Sequence, residues 1–308
     1  ILCGVVGNPD AVITAVYGPL VRVQAGEQVL VVALRHRLRW HGDPPDPRLV
    51  VGDKVVLEGV PHAAVVTEVL ERRTVLTRRS PGENRVRVVA ANVDQAVVVL
   101  AAAAPDPNTR LMDRFLVACH HAGIEPLVCL NKIDQGTDLV DEWADDYRRA
   151  GYQVLMVSAR TARGMGCLKR AVSGRTTLFC GPSGVGKSAL LNAIHPGYRL
   201  REGSISESTG KGRHTTSTAQ LFALPGGGFV VDTPGVREFG FWDLSGPELE
   251  RCFPDLAPYA QECERRDCRH GSDEGCAVRA AVESGSLSPR RYSSYLAIRS
   301  ELDDLGSA

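Results

Sequence analysis

Gly181-Pro182-Ser183-Gly184-Val185-Gly186-Lys187-Ser188 follows a short apolar run, residues 176–180, and opens a second apolar segment, residues 188–194. Read as strand, loop and helix, this is the context that a phosphate-binding loop requires. The glycines let backbone N–H groups curl round a β-phosphate. Lys187 supplies a cation for β- and γ-oxygens, and the Ser188 hydroxyl suits Mg²⁺. The helix N-terminus, with Ala189 in its first turn, adds positive potential. Taken alone, the stretch points to a nucleoside triphosphate without saying which one.

Working outward, apolar β-type runs at 96–103, 126–130, 153–157 and 176–180 alternate with helical segments. Continuous apolar strands spaced by helices predict an α/β domain with a parallel sheet covered on both faces. Asn108 or Thr109 is placed to cap one helix, which Gly123 stops. The next opens on Asp138, Asp141 and Glu142 and closes on Arg148 and Arg149, a charge order that suits the helix dipole. Residues 219–224 and 228–231 flank Pro225-Gly226-Gly227 and read as a hairpin.

Asn131-Lys132-Ile133-Asp134 ends the run at 126–130. A carboxylate there can accept from N1–H and the 2-amino group of guanine, two donors that adenine lacks, and hydrogen-bond readout of this kind discriminates strongly. Lys132 can lay its aliphatic stem over the base, and Asn131 can tie this loop to the phosphate loop. Ser158-Ala159-Arg160 ends the next strand, where the Ala159 N–H is placed for guanine O6. Asp232-Thr233-Pro234-Gly235 follows the strand at 229–231. Asp232 is expected to hold Mg²⁺ through water, and the Gly235 N–H to touch the γ-phosphate. The polar stretch 204–217 contains Gly212-Arg213-His214-Thr215-Thr216 and reads as a switch loop, with Thr215 or Thr216 completing the Mg²⁺ shell.

Cys263, Cys268, His270 and Cys276 offer three thiolates and one imidazole within fourteen residues. That donor set suits tetrahedral Zn²⁺, and a filled shell makes the site structural. The other cysteines, Cys3, Cys119, Cys129, Cys167, Cys180 and Cys252, sit in apolar or helical stretches, which argues against a disulfide framework and for a reducing, cytoplasmic location.

Residues 10–79 read as short strands at 11–17, 29–34, 54–58 and 63–70, separated by Gly/Pro/Asp turns. They predict a small antiparallel barrel, with OB-fold and SH3-like types both open. Ser245 with Glu248 forms a capping box, and Ser288-Pro289 starts a last helix reaching about residue 304. Lys+Arg and Asp+Glu each number 36 in 308 residues, so any nucleic-acid surface must be local. The densest basic stretch is Arg72, Arg73, Arg78, Arg79, Arg85 and Arg87. A solvated strand edge or hinge and a nucleic-acid contact both fit it. No apolar run is long enough to cross a bilayer, and residues 1–10 do not read as a signal peptide.

The motif order is unusual: NKID and SAR precede GPSGVGKS, which precedes GRHTT and DTPG. In this order, with Asn92-Val93-Asp94-Gln95, Cys252-Phe253-Pro254-Asp255-Leu256 and the Cys/His cluster, the chain closely resembles the circularly permuted ribosome-biogenesis GTPases of the RsgA/YjeQ family. The resemblance implies an OB-fold barrel at 1–80, a permuted P-loop GTPase domain at 81–244 and a mainly helical zinc-binding domain at 245–308. It implies GTP and GDP as substrate and product, Mg²⁺, one structural Zn²⁺, and hydrolysis stimulated by the small ribosomal subunit. The expected role is late maturation of the 30S subunit, with 30S and its 16S rRNA as partners, no DNA, no membrane, and a monomeric chain. Lys187, Gly235 and His214 are the candidate catalytic residues. Val236 stands where Ras-like enzymes carry a water-orienting Gln, so intrinsic hydrolysis is expected to be slow and His214 is the candidate to help position water. Two other readings use the same residues: a GTP-gated rRNA-binding scaffold with incidental hydrolysis, and an ATP-dependent phosphotransferase.

Overall fold

The computed structural model describes residues 8–42, 46–60, 63–79, 86–136, 139–195, 197, 219–232 and 244–306. Contacts divide the chain into two compact units. One holds residues 1–95, 169–179 and 203–239, the other 96–168, 180–202 and 240–308.

The first unit opens with β1 (Asn8–Tyr17), β2 (Leu20–Ala25), β3 (Gln28–Trp40), β4 (Lys54–Glu58) and β5 (Val65–Val69). They close a barrel in the order β1-β2-β3-β5-β4, the OB-type arrangement. Alternate residues point inward, and Ile13, Val21, Val23, Val55, Leu57 and Val66 have no exposed surface. The structure corrects two expectations. The barrel is not wholly antiparallel, because β3 runs parallel to β5. It also contains β2, whose alternating Arg22 and Gln24 hid a strand paired along its full length with β3.

The chain continues through β6 (Val75–Arg79), β7 (Val86–Ala91), β8 (Gln95–Ala101), α1 (Thr109–His121), β9 (Glu125–Asn131), α2 (Leu139–Arg149) and β10 (Gln153–Met156). Then come α3 (Met165–Val172), β11 (Thr176–Cys180), α4 (Lys187–Ile194), β12 (Gln220–Ala223) and β13 (Phe229–Asp232). The last elements are α5 (Gly246–Arg251), α6 (Ala257–Ala260), α7 (Ala277–Glu283) and α8 (Pro289–Gly306).

The basic stretch runs into an antiparallel ribbon of β6 and β7, which holds Arg78, Arg79 and Arg87; Arg85 lies outside the described residues. Its first arginine is spent internally. Arg72 pairs with Asp53 at 2.7 Å, their side chains 4% and 0% exposed, and also donates to the Asp46 and Arg48 carbonyls. Gly52, at φ +86°, passes so close to β7 that a Cβ would lie 1.9 Å from the Ala91 oxygen. Only glycine fits there. Arg73 faces Asp94, and Asp94 accepts from Thr176 N at 2.7 Å. In the same unit β11 and β13 are parallel, and β12 returns antiparallel to β13.

In the second unit β10, β9 and β8 lie side by side, β9 and β10 parallel. Every residue of β8 is buried, as its uninterrupted apolar run requires. Asn108 caps α1, its side chain accepting from Leu111 N at 2.9 Å. Asp141 and Glu142 stand in the first turn of α2, Arg148 and Arg149 in its last; Asp138 lies outside the described residues. Before α5, Glu248 Oε2 accepts from Ser245 N at 2.8 Å, as a capping box should.

α8 is fastened to α1 and to Asp255, just ahead of α6, through Arg291. Its guanidinium is 1% exposed and bonds Asp113 at 2.6 Å and Asp255 at 2.7 and 3.0 Å. Phe253, Tyr152 and Tyr147 surround it at 4.6, 5.4 and 5.8 Å. Beside it Arg290 and Ser288 both donate to Asp146 Oδ2, at 3.1 and 2.9 Å. Among the described residues no helix is long and apolar enough to cross a membrane.

Candidate nucleotide site and metal centre

Strand β11 delivers the chain into the glycine loop, and α4 carries it away. Gly181, Gly184 and Gly186 have φ of +132°, +79° and +96°, values that favour glycine. Close approach enforces two of them. A Cβ on Gly181 would lie 2.3 Å from the Val99 oxygen of β8, and one on Gly186 would lie 2.4 Å from Asn131 Nδ2. Lys187 Nζ donates to the Gly181 and Pro182 carbonyls at 2.8 and 2.6 Å, so its ammonium lies against the loop it starts from. Ser188 and Ala189 are half-buried in the first turn of α4, while Ser183 is exposed and Val185 buried.

The NKID loop leaves the end of β9 against this loop. Asn131 Nδ2 donates to the Val185 carbonyl at 2.8 Å, and the Asn131 Oδ1 accepts from Ala159 N at 3.4 Å. One buried amide thus joins three loops. Lys132, at φ +62°, donates to the Gly184 carbonyl at 2.7 Å and to that of Ala104. Asp134 Oδ1 accepts from the Ser158 hydroxyl at 2.6 Å. Its Oδ2 is buried, with the Arg160 guanidinium facing it as an ion pair. The Ser158 hydroxyl, ahead of Arg160, holds the Asp134 carboxyl below the usual carboxylate range. The structure therefore brings Asn131, Lys132, Asp134, Ser158, Ala159, Arg160 and residues 181–189 together in the second unit.

Asp232 ends β13 in the first unit, and burial pushes its carboxyl up. A buried carboxylate of this kind is stabilised by a cation. His214, Thr215, Thr216 and Gly235, with Thr233, Pro234 and Val236, lie outside the described residues.

Cys263, Cys268, His270 and Cys276 place their donor atoms within 4.8 Å of one another. Cys263 Sγ and Cys276 Sγ lie 3.5 and 3.6 Å from His270 Nδ1. Ligands on one tetrahedral zinc are separated by roughly 3.3–3.8 Å, so the set fits that ion through Nδ1. The other ring nitrogen, Nε2, faces Glu250 Oε1 of α5 at 3.3 Å. Carboxylates in this position fix the tautomer and orientation of a ligating histidine. Burial pushes the Cys268 thiol up to about 12. Burial also acts to raise Cys276, but the Arg279 backbone N–H and the His270 ring outweigh it and hold that thiol below its ordinary value. Glu250 and Arg291 carry no local sequence signal. Their partners are 20 and 178 positions away.

A strand–loop–helix phosphate loop, fastened to an NKID loop that precedes it in the chain, defines a P-loop nucleotide-binding domain with permuted motif order. The RsgA GTPase family profile matches residues 69–242. A relative in Gemmatimonas aurantiaca, "Small ribosomal subunit biogenesis GTPase RsgA", is 44% identical over 260 residues, 83% of this chain and 85% of that protein. The solved structure of YjeQ from Thermotoga maritima superposes with a TM-score of 0.79 at 30% identity, covering 95% of this chain and 97% of the other. That of YloQ, described as a circularly permuted GTPase, superposes with a TM-score of 0.75 at 31% identity, covering 96% and 95%. The chain belongs to the RsgA GTPase family.

Proposed function

We propose that this chain hydrolyses GTP during late maturation of the small ribosomal subunit, binding the 30S particle through its 16S rRNA and leaving after hydrolysis. The observation that carries the reading is the Asn131–Val185 hydrogen bond, which sets the base-reading loop against the phosphate loop although 54 positions separate them. The relatives' names support the ribosomal role.

In this reading Asp134 takes the guanine edge through Oδ2, Ala159 N–H serves O6, and Lys132 covers the base. Ser158 orients Asp134. Lys187 leaves its two carbonyls for the β- and γ-phosphates, and residues 181–189 wrap the phosphate chain with backbone N–H groups. Ser188 and Asp232 hold Mg²⁺, with Thr215 or Thr216 completing its shell. Gly235 senses the γ-phosphate and His214 positions water. Mg²⁺, when bound, supplies charge neutralisation at the phosphate oxygens. Cys263, Cys268, His270 and Cys276 hold one structural zinc. The barrel at 1–80, the GTPase domain at 81–244 and the zinc domain at 245–308 act as a monomer in the cytoplasm, without DNA or membrane.

The test is GTP turnover by the full chain alone, with purified small subunits, and with large subunits. Stimulation by small subunits alone is expected. Equal stimulation by large subunits, or none by small ones, overturns the assignment.

A further inference from the structure

Guanine presents to a carboxylate the N1–H and the 2-amino group, joined through C2. That edge is itself a guanidine fragment built into the ring. Arg160 carries the same chemical group and points it at the same acceptor. Its guanidinium faces the buried Asp134 Oδ2 as an ion pair. The neighbouring Oδ1 is already bonded by Ser158. The two partners differ in freedom: the Arg160 side chain is 68% exposed, that of Asp134 only 10%. One is fixed and the other can leave.

We infer that Arg160 is an internal competitor for the guanine edge, holding the base-reading carboxylate charged and aimed, and yielding it when the base docks. This rests on the proposed guanine pocket and adds a residue that sets how readily the pocket is entered. The displacement needs no other part of the site to move. Arg160 lies at the exposed end of the loop and takes no part in the Ser158–Asp134 and Asn131–Ala159 bonds. The ion pair is mostly solvent-facing on the arginine side, so the penalty it imposes on nucleotide binding is small.

The experiment measures association and dissociation of fluorescent GDP and XDP with the full chain by stopped flow, for the parent, Arg160→Ala, Arg160→Lys, Asp134→Asn and the double variant Asp134→Asn/Arg160→Ala. Arg160→Ala should bind GDP faster and about two- to fivefold more tightly, the fold-change equivalent of an exposed ion pair. Arg160→Lys, which keeps the charge but not the planar fork, should fall between. In the Asp134→Asn background, removing Arg160 should leave XDP binding unchanged, since no carboxylate remains to compete for. An Arg160→Ala variant that binds GDP equally or more weakly overturns the inference; weaker binding would make Arg160 a direct contact of the bound nucleotide. Asp134→Asn with undiminished GDP affinity would instead strike the guanine pocket itself.

Discussion

Two pairs of cations in the second unit are held in opposite ways. Lys132 and Lys187 donate to backbone carbonyls of the phosphate loop and its surroundings. Arg290 and Arg291 face the carboxylates of Asp146, Asp113 and Asp255. A carbonyl is neutral, so a phosphate outcompetes it for an ammonium. A carboxylate in a buried, ring-lined pocket is not displaced in that way. In the proposed reading Lys187 is arranged to change partners, the arginines to keep them. The same unit thus combines an exchangeable site with a permanent joint.

The largest expected effect lies at the joint. Arg291→Met leaves Asp113 and Asp255 without their shared counter-charge, which should cost about 3–5 kcal/mol. Urea unfolding followed by intrinsic fluorescence measures it, and an unshifted transition would break the contrast. Next comes Lys187→Ala. Loss of a cation aimed at developing charge should lower GTP turnover by roughly 10²–10³-fold, while unfolding stays within about 0.5 kcal/mol of the parent. A Lys187 variant that unfolds as readily as the Arg291 variant would show that both cations are structural. The smallest effect sharpens an intermediate case, a histidine ring held by a carboxylate. Glu250→Gln should weaken zinc binding by roughly 10- to 100-fold in competition with a chromophoric chelator, with nucleotide affinity unaltered. Undiminished zinc affinity would reduce Glu250 to a surface contact.

The exchangeable site was largely legible in the sequence because its chemistry is written locally. Residues 181–188 needed a strand before and a helix after, and the apolar runs on either side supplied both. NKID at the end of β9 and the Cys/His spacing are likewise short-range patterns. The joint was not legible. Arg290 and Arg291 sit in the first turn of α8, where basic residues usually face water, and Asp113 lies 178 positions away. No periodicity marks a buried arginine. The β6–β7 ribbon was also missed, because Arg78, Arg79 and Arg87 interrupt the apolar residues of its strands, Val75 and Leu76 in one and Val86, Val88, Val89, Ala90 and Ala91 in the other. In the barrel, the parallel β3–β5 pair depends on which strand closes the ring, a long-range choice that turn signals do not encode.

The contact at Gly186 has a bearing on inheritance. Its missing side chain leaves the space that Asn131 Nδ2 fills, so the wall between the two loops is one atom layer thick and belongs to both. A bulkier residue on one side demands retreat on the other. The two segments therefore cannot drift independently. Although each is encoded far from its counterpart, they are constrained to vary as a single hereditary block, leaving the freer Arg160 position as the place where affinity can be retuned without rebuilding the pocket.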